Sequence, residues 1–251
     1  MRAGEIGLLT SAGIARVRVY LKPKVGLLST GDELVELGNK PRHGQLVNSN
    51  IYILTARLQE LDCEPVPIGI GRDSHDSIVE MLRTGLKTDL LISTGGVSVG
   101  EKDYVHECLQ SLGFIKKFCK VAIKPGKPVL FGTVGETPVF GLPGNPVSSA
   151  ATFELFAKPA LRLLAGYPDQ SPQMVRAELT GAVTPGRKRE AFLWGYLKQI
   201  VLDFFFTPAS RQGSGQNRSI QGANALLPLP PDEEEWKPGR RVEVMLLYSS
   251  T

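Results

Sequence analysis

The sequence predicts an α/β protein in which a doubly wound domain with a mixed sheet is followed by a small C-terminal β-barrel. Two patterns carry this prediction. Short apolar runs alternate with segments of helical periodicity over residues 24–165, whereas after residue 167 the helical pattern disappears and Gly, Pro and Ser become frequent. Alternation of strands and helices indicates βαβ units with a largely parallel sheet, and short strands separated by turns indicate a barrel.

The first domain is predicted to span residues 24–166 and to begin with three strand–helix units. The strands are expected at three short apolar runs, over residues 24–29, 64–70 and 89–93. A helix is expected after each strand, because apolar residues there recur at spacings of three and four. Asn48, Ser49 or Asn50 is expected to cap the first of these helices.

The rest of this domain is expected to add a hairpin and a final helix. The runs Val129–Val134 and Pro138–Leu142 flank a Gly135-Glu136 turn, which predicts the hairpin. The final helix is predicted from Val147 to about Leu164, with Pro146 at its start, where helices accept proline. Residues 167–251 are then predicted to form the barrel.

Composition excludes several classes of protein. The chain has 251 residues, of which 42% are hydrophobic and 22% charged, as in soluble globular proteins. The net charge of +4 is scattered, so a nucleic-acid partner is not expected, although a patch for small anions remains open. Cys63, Cys108 and Cys119 form no CxxC pair, which argues against a zinc site or a disulfide framework. No membrane span or signal peptide is expected, and the cytoplasm is the predicted location.

Glycines and polar side chains follow the ends of all three predicted strands. The first strand is followed by Thr30, Gly31 and Glu33, the second by Asp73, and the third by Gly95, Gly96, Ser98 and Asp103. In an open parallel sheet, ligands bind outside the carboxyl ends of the strands. Glycines let backbone N–H groups approach an anion, and carboxylates hold Mg²⁺ against it. Each cluster alone fits a turn, a helix start or a solvated loop, but three together favour a phosphate and metal site.

Two further segments combine rigidity with polar groups. In Lys124–Pro128 (KPGKP), two lysines flank a bend stiffened by prolines, which fits either an anion site or a plain surface turn. The segment Gly141–Pro146 (GLPGNP) leads into the final helix. It fits either a helix-entry loop or an anion site to which Ser148 and Ser149 add donors.

These segments, in this order, resemble the molybdopterin molybdenumtransferase family, of the gephyrin E-domain type. The resemblance covers nearly the whole chain. Its motifs are STGDEL (29–34), GRD (71–73), GGVSVGEKDY (95–104), KPGKP (124–128) and GLPGNPVS (141–148), with weaker matches at PGRKREAF (185–192), QGSG (212–215) and PGRRVEV (238–244).

The resemblance implies a molybdopterin-binding first domain and a reaction. Molybdate is inserted into adenylylated molybdopterin, and AMP is released with Mg²⁺ present. The implied catalytic acids are Glu33, Asp73 and Asp103, the last two as metal ligands. The implied molybdate ligands are Lys124, Lys127, Pro128, Ser148, Ser214 and either Arg187 or Arg189, with Arg187 favoured because Pro185-Gly186 precedes it. The implied pterin and nucleotide contacts are Thr30, Gly31, Gly95, Gly96, Ser98, Pro143 and Asn145.

The resemblance also has consequences for the rest of the molecule. Family members carry further N-terminal domains, and residues 1–23 resemble the end of that region. Full-length relatives are expected to be homodimers and to contact other enzymes of cofactor synthesis. Trp194 stands where many relatives have arginine.

Two alternative functions are less favoured by the sequence. A related adenylyltransferase family shares the GGVS-bearing fold, but it lacks the barrel that is predicted here. A non-catalytic pterin-binding or scaffold role is the other alternative, and no receptor groove is evident in the sequence.

Overall fold

The computed structural model describes residues 1–72, 74–96, 104–213, 215, 217–231 and 234–248. It begins with helix α1 (Ala3–Ser11), in which no residue is buried, and an extended segment that leads to residue 23. Ile6 and Leu8 of α1 are 53% and 73% exposed. This helix was not predicted. Among the helices of the described ranges, none combines the length and the apolar character that a membrane crossing requires.

The first domain is a mixed six-stranded sheet with helices on both faces, as predicted. Its elements in chain order are β1 (Lys24–Thr30), β2 (Leu34–Val35), β3 (Leu46–Val47), α2 (Ser49–Glu60), β4 (Glu64–Gly71), α3 (His75–Gly85), β5 (Leu90–Thr94), α4 (Tyr104–Ser111), β6 (Phe114–Cys119), β7 (Ile123–Lys124), β8 (Leu130–Val134), β9 (Thr137–Leu142), α5 (Pro146–Thr152) and α6 (Lys158–Leu164). The strand order is β4-β1-β5-β9-β8-β6. The first four strands run parallel, and β8 is antiparallel to both of its neighbours.

Two apolar cores cover the two faces of this sheet. Because successive side chains of a strand point to opposite faces, Leu27 packs with α2 and the last helices, whereas Leu28 packs with α3 and α4. β5 is buried along its whole length, as expected for a central parallel strand. Asn48 caps α2, with its Oδ1 accepting a hydrogen bond from the Ile51 N–H at 3.5 Å.

The predicted final helix is interrupted. Between α5 and α6, residues Phe153–Ala157 form a π-helical segment. Pro159 follows near the start of α6 and has no N–H to donate to the carbonyl of Leu155, four residues earlier. The wider turn therefore lies where the α-helical hydrogen-bond ladder would have a gap.

The second domain is a closed five-stranded barrel, which confirms the predicted fold class. Its strands are β10 (Met174–Leu179), β11 (Glu190–Ile200), β12 (Asp203–Pro208), β13 (Ala225–Leu229) and β14 (Arg241–Leu246). They pair in the closed order β10-β14-β13-β11-β12, and β12 pairs back onto β10. Only the β10–β12 pair is parallel among these five strands.

The two domains share backbone pairing and a core. β7 belongs to the first domain along the chain, but it pairs in parallel with the start of β11, with Ile123 opposite Glu190 and Lys124 opposite Ala191. An apolar cluster also joins small residues of α5, such as Ala150, to Trp194 of the barrel. The structure therefore brings the bend at Lys124–Pro128, the lysine bend, against the barrel.

Candidate functional site

Two adjoining cavities lie at the carboxyl ends of the parallel strands and between the domains. The strand-end cavity, of about 590 Å³, is lined by Thr30, Gly31, Glu33, Leu34, Leu46, Val47, Asn48, Ser49, Asn50, Thr94, Gly95, Gly96, Pro128, Pro143, Gly144, Asn145, Pro146, Gly215 and Asn217. The interdomain cavity, of about 790 Å³, is lined chiefly by residues 124–128, Ser148, 182–186, Arg189, 191–194, Pro208, Ala209, Gln212 and Gly213. Pro128 lines both, so the two cavities meet there.

The glycines after β5 are required by their surroundings. Gly95 and Gly96 have φ angles of +85° and +62°, which L side chains rarely adopt. A Cβ at Gly95 would lie 2.5 Å from the carbonyl oxygen of Thr30, and one at Gly96 would lie 2.5 Å from Val105 Cγ2. Gly95 and Gly96 therefore rest directly on the end of β1 and on α4, and Thr30, Gly95 and Gly96 form one wall of the strand-end cavity.

Hydroxyl and amide groups form a buried network beneath this wall. Ser29 Oγ lies 3.1 Å from Asn48 Oδ1 and 3.0 Å from Thr94 Oγ1. Asn50 Nδ2 donates to the carbonyl of Gly144 at 2.8 Å, which ties the start of α2 to the GLPGNP loop. Asn48 Nδ2 and Asn50 Oδ1 are buried without a hydrogen-bond partner. Sequence reasoning treated these asparagines only as helix caps, although two amides at a strand-end loop are a signal for a polar pocket.

Glu33 lies at the mouth of the strand-end cavity, on a loop held by Arg72. Arg72 Nη1 donates to the carbonyls of Asp32 and Leu34, at 3.2 and 3.1 Å, on either side of Glu33. A side chain at Gly31, where φ is +143°, would collide with the Glu33 carboxylate. Arg72 belongs to the GRD motif, and sequence reasoning missed its role in holding this loop.

Several predicted residues lie outside the described part of the chain. They are Asp73, Ser98, Asp103 and Ser214. The shared Mg²⁺ site of Glu33, Asp73 and Asp103 therefore stays a prediction. Pro143 and Asn145 line the strand-end cavity, and the neighbouring Gly144 lies beside Gly95, where an added Cβ would be in ordinary contact with the Gly95 Cα at 3.6 Å.

The lysine bend lies flat on α5. The Val121 N–H donates to the Lys127 carbonyl at 3.0 Å, which closes the bend at its base, and the Lys124–Pro125 peptide bond is cis. Gly126 is buried with φ +106°, and a side chain there would collide with Thr152 Cγ2. Lys124 and Lys127 are exposed at the cavity wall, beside Ser148 of α5.

The barrel contributes Arg189 to this cavity. Arg189 is half-buried, immediately precedes β11, and donates from Nη1 to the carbonyl of Ile123 at 3.3 Å. Arg187, which the sequence favoured, is exposed and is not among the residues that line the cavity. The geometry thus places Arg189, rather than Arg187, next to the lysine bend.

Gln212 fixes the part of the interdomain cavity wall that Trp194 and Ala209 form. Its side-chain amide accepts from the Trp194 N–H at 3.3 Å and donates to the carbonyls of Trp194 and Ala209, at 2.9 and 3.0 Å. Sequence reasoning did not find this clamp, although Gln212 opens the QGSG motif. Of the two glycines in that motif, Gly213 lines the interdomain cavity and Gly215 lines the strand-end cavity.

The two cavities differ in charge. Among the described residues, three cations and no carboxylate line the interdomain cavity: Lys124, Lys127 and Arg189. In the strand-end cavity the charged lining residue within those same ranges is Glu33, amid glycines, hydroxyls and amides. The interdomain cavity therefore suits a small anion, and the strand-end cavity suits a polar ligand.

Two family models match this chain, one in each of its two domains. The family described as a probable molybdopterin binding domain matches residues 26–163, and the MoeA C-terminal region (domain IV) matches residues 176–247. A molybdopterin molybdenumtransferase of Nostoc sp. is 35% identical over 253 residues, which cover 98% of this chain and 58% of the relative. The Haemophilus influenzae protein of that name is 42% identical over 163 residues, or 64% of this chain and 40% of the relative.

Solved structures share the fold of both domains. A molybdopterin biosynthesis moeA protein from Pyrococcus horikoshii superposes with a TM-score of 0.78 at 29% identity, over 98% of this chain and 59% of that protein. A molybdenum cofactor biosynthesis protein from Pyrococcus furiosus gives 0.74 at 28% identity, over 98% and 76%. The chain spans about three fifths of the length of the curated relatives that it matches almost end to end.

Proposed function

The chain belongs to the molybdopterin molybdenumtransferase family, and we propose that it carries the cleft in which molybdate is inserted into adenylylated molybdopterin with release of AMP. One observation carries the proposal. A cation-lined cavity without a carboxylate among its described residues meets a glycine-rich and hydroxyl-rich cavity at Pro128. A substrate that joins a nucleotide to a pterin, and an oxyanion that reacts with it, need two adjoining compartments of this kind.

In this proposal the molybdate occupies the interdomain cavity. Molybdate is a tetrahedral dianion, and compact cations with neutral donors suit it. Lys124, Lys127 and Ser148 supply these groups from the first domain, with Pro128 shaping the wall. We assign the barrel's cation to Arg189 instead of Arg187, because Arg189 lines the cavity. Ser214 is proposed as a further donor, since both of its neighbours line the cleft.

The adenylylated pterin is proposed to lie in the strand-end cavity and to extend toward Pro128. Glycines let backbone N–H groups come close to its phosphates, and the hydroxyls donate to them. The residues assigned to it are Thr30, Gly31, Gly95, Gly96, Ser98, Pro143 and Asn145. The unpaired amide atoms of Asn48 and Asn50 support a polar ligand here, because buried polar groups are normally hydrogen-bonded.

Glu33, Asp73 and Asp103 are proposed as the acids of the reaction, with Asp73 and Asp103 holding Mg²⁺. The hydrogen bonds from Arg72 to the carbonyls of Asp32 and Leu34 hold the loop on which Glu33 lines the strand-end cavity. Bound Mg²⁺ would neutralise the charge that develops on the phosphoanhydride oxygens as AMP leaves.

A homodimer in the cytoplasm, with contacts to other enzymes of cofactor synthesis, is also proposed. The exposed apolar side chains of α1 support an apolar partner surface in that region. An adenylyltransferase is not favoured, because the chain carries the barrel that matches the MoeA C-terminal region.

The decisive test is molybdate-dependent release of AMP from adenylylated molybdopterin in the presence of Mg²⁺. It should be run with the chain alone and with a full-length relative added, so that a requirement for further domains is recognised. AMP release that does not respond to molybdate in either case would contradict the proposal. ATP consumption with unadenylylated pterin would favour the adenylyltransferase instead.

A further inference from the structure

A buried ion-pair network joins the two domains at a place that lines neither cavity. The Glu154 carboxylate accepts from Arg57 Nε at 2.7 Å and from Lys158 Nζ at 3.0 Å. Arg57 Nη2 and Lys158 Nζ also donate to the carbonyl oxygen of Leu247, at 3.0 and 2.9 Å. One backbone oxygen of the barrel is therefore bound by two cations of the first domain, which share the Glu154 carboxylate, and Arg57 also pairs with Glu60.

The network is largely removed from solvent. The side chains of Glu154, Arg57 and Lys158 are only 3%, 11% and 13% exposed. Burial alone would lower the pKa of Arg57, but Glu154 and Glu60 outweigh it and raise that pKa above its ordinary value. The guanidinium also stacks on the ring of Tyr248, 4.7 Å from its centroid. Removing Glu154 would leave the largely buried Lys158 without its ion-pair partner, and removing Arg57 or Lys158 would leave Glu154 with one cation in place of two, which is more costly than losing a surface pair.

Leu247 transmits the network to the whole barrel. Its N–H donates to the carbonyl of Asn224, just before β13, at 3.0 Å, and the residue is 3% exposed in the apolar cluster shared by the domains. Its carbonyl oxygen has no partner in the barrel among these hydrogen bonds and accepts instead from Arg57 and Lys158 of the first domain. A movement of the barrel relative to α2 and α6 would therefore break the hydrogen bonds from Arg57 and Lys158.

The apolar cluster constrains the orientation of the barrel less sharply than hydrogen bonds do. Apolar burial is non-directional, and the α5 residues of the cluster are small or short, such as Val147, Ala150 and Ala151. Directional hydrogen bonds join the domains at two separate places: between β7 and β11 beside the cleft, and at Leu247. Two such attachments remove the freedom of the barrel to rotate on α5.

We propose that Arg57, Glu154 and Lys158 are positioning residues that fix the orientation of the barrel over the first domain. They thereby set the separation between Arg189 on the barrel and Ser148 on α5, across the interdomain cavity. The orientation of the barrel does not depend on the identity of the ligand, whereas the consequence for molybdate rests on the proposed function.

Distances between spin labels in the full chain test whether the network fixes the orientation of the barrel. One label goes on Cys119, which is exposed while Cys63 and Cys108 are buried, and the other on a Lys198→Cys substitution in β11. In Lys158→Met and Arg57→Met we expect a broadened and shifted distance distribution at a temperature where circular dichroism shows the protein folded. Lys158→Arg, which keeps the charge and the donors, should restore the narrow distribution. Lys22→Met is the matched control, since Lys22 pairs with Asp62 on the surface.

Titrations separate positioning from stability. Lys158→Met should weaken molybdate binding by about tenfold and AMP binding by less than about threefold. An unchanged distance distribution in folded Lys158→Met and Arg57→Met would overturn the proposal, as would failure of every network variant to fold, since the network would then serve stability alone. If the unmodified chain binds no molybdate, the proposed function fails while the distances still decide the orientation.

Discussion

Arg189 donates a hydrogen bond to the carbonyl of Ile123 at 3.3 Å, although the two residues belong to different domains. The bond continues a ladder in which Glu190 and Ala191 pair with Ile123 and Lys124. The backbone register of β7 and β11 therefore fixes which cation of the barrel stands beside the lysine bend. Arg187 precedes that register and lies in an exposed loop.

The first prediction separates the two arginines. Arg189→Met should weaken molybdate binding by about 1.5–3 kcal/mol, the range for a hydrogen bond to a charged group. Arg187→Met should change it by less than about 0.5 kcal/mol, as expected for an exposed charge. Isothermal titration of molybdate into both variants measures the difference, with unfolding curves as a check on structure. A larger effect at Arg187 would restore the assignment made from the sequence.

The second prediction concerns Lys127. Lys127→Ala should weaken molybdate binding by about 1.5–3 kcal/mol and leave AMP affinity nearly unchanged, because AMP is assigned to the strand-end cavity. Molybdate and AMP are titrated separately, and Lys120→Ala, an exposed lysine outside both cavities, is the matched control. Equal losses for both ligands, or for neither, would show that molybdate has been placed in the wrong cavity.

The third prediction isolates the close packing of the bend on α5. Gly126→Ala should destabilise the protein by about 2–4 kcal/mol, through its φ of +106° and the collision with Thr152 Cγ2. Gly135→Ala, where φ is +56° and no atom lies within 4 Å of the added Cβ, should cost only about 1 kcal/mol. Urea unfolding gives both values.

A second substitution completes this test. Thr152→Ser removes Cγ2 but keeps the hydroxyl that donates to the Ser148 carbonyl. Combined with Gly126→Ala, it should recover part of the lost stability and of molybdate binding. The same free energy of unfolding for Gly126→Ala and Gly135→Ala would mean that the collision is relieved at no cost.

The fourth prediction concerns pH. Burial raises the pKa of the Cys63 thiol to about 11. The unfolded chain loses this proton near the ordinary thiol value of 9.0, so the stabilising contribution is complete below that pH and is lost as the pH rises to about 11. The free energy of unfolding should fall by about 2–3 kcal/mol across this window. Cys108, whose pKa burial also raises, adds to the same decline.

Two variants check this assignment. Cys63→Ala should flatten the decline measured by urea unfolding at a series of pH values, although its lost packing lowers stability at every pH. Cys119→Ala, at an exposed thiol, should leave the slope unchanged. Parallel curves for Cys63→Ala and the unmodified protein would assign the decline to other groups.

Much of the first domain could be predicted because its signals are local. Periodicity located β1, β4, β5 and their helices, and the Gly135-Glu136 turn located the hairpin. Glycines at strand ends marked the strand-end cavity, since a backbone in the left-handed region beside a close neighbour excludes other residues, as at Gly95. In these places the residues that determine the local structure lie within a few positions of it in the sequence.

The interdomain cavity could not be predicted in the same way, because its geometry depends on long-range register. β7 has only two residues, Ile123 and Lys124, and so shows no periodicity, and its partner strand lies in the other domain. The choice between Arg187 and Arg189 follows from that pairing. The π-helical segment was also invisible, because one extra residue in a turn barely changes the spacing of apolar side chains.

The pairing of β7 with β11 also sets the order in which the molecule is completed on the ribosome. The lysine bend is synthesised before its partner strand β11, which follows only after α5, α6 and β10. The sheet of the first domain is therefore able to fold while the bend still waits for its partner, since nascent domains fold from the N-terminus. A chain interrupted before β11 would lack the barrel wall of the interdomain cavity and also Gly215 and Asn217 of the strand-end cavity, so the proposed anion site is completed only when the barrel has been synthesised.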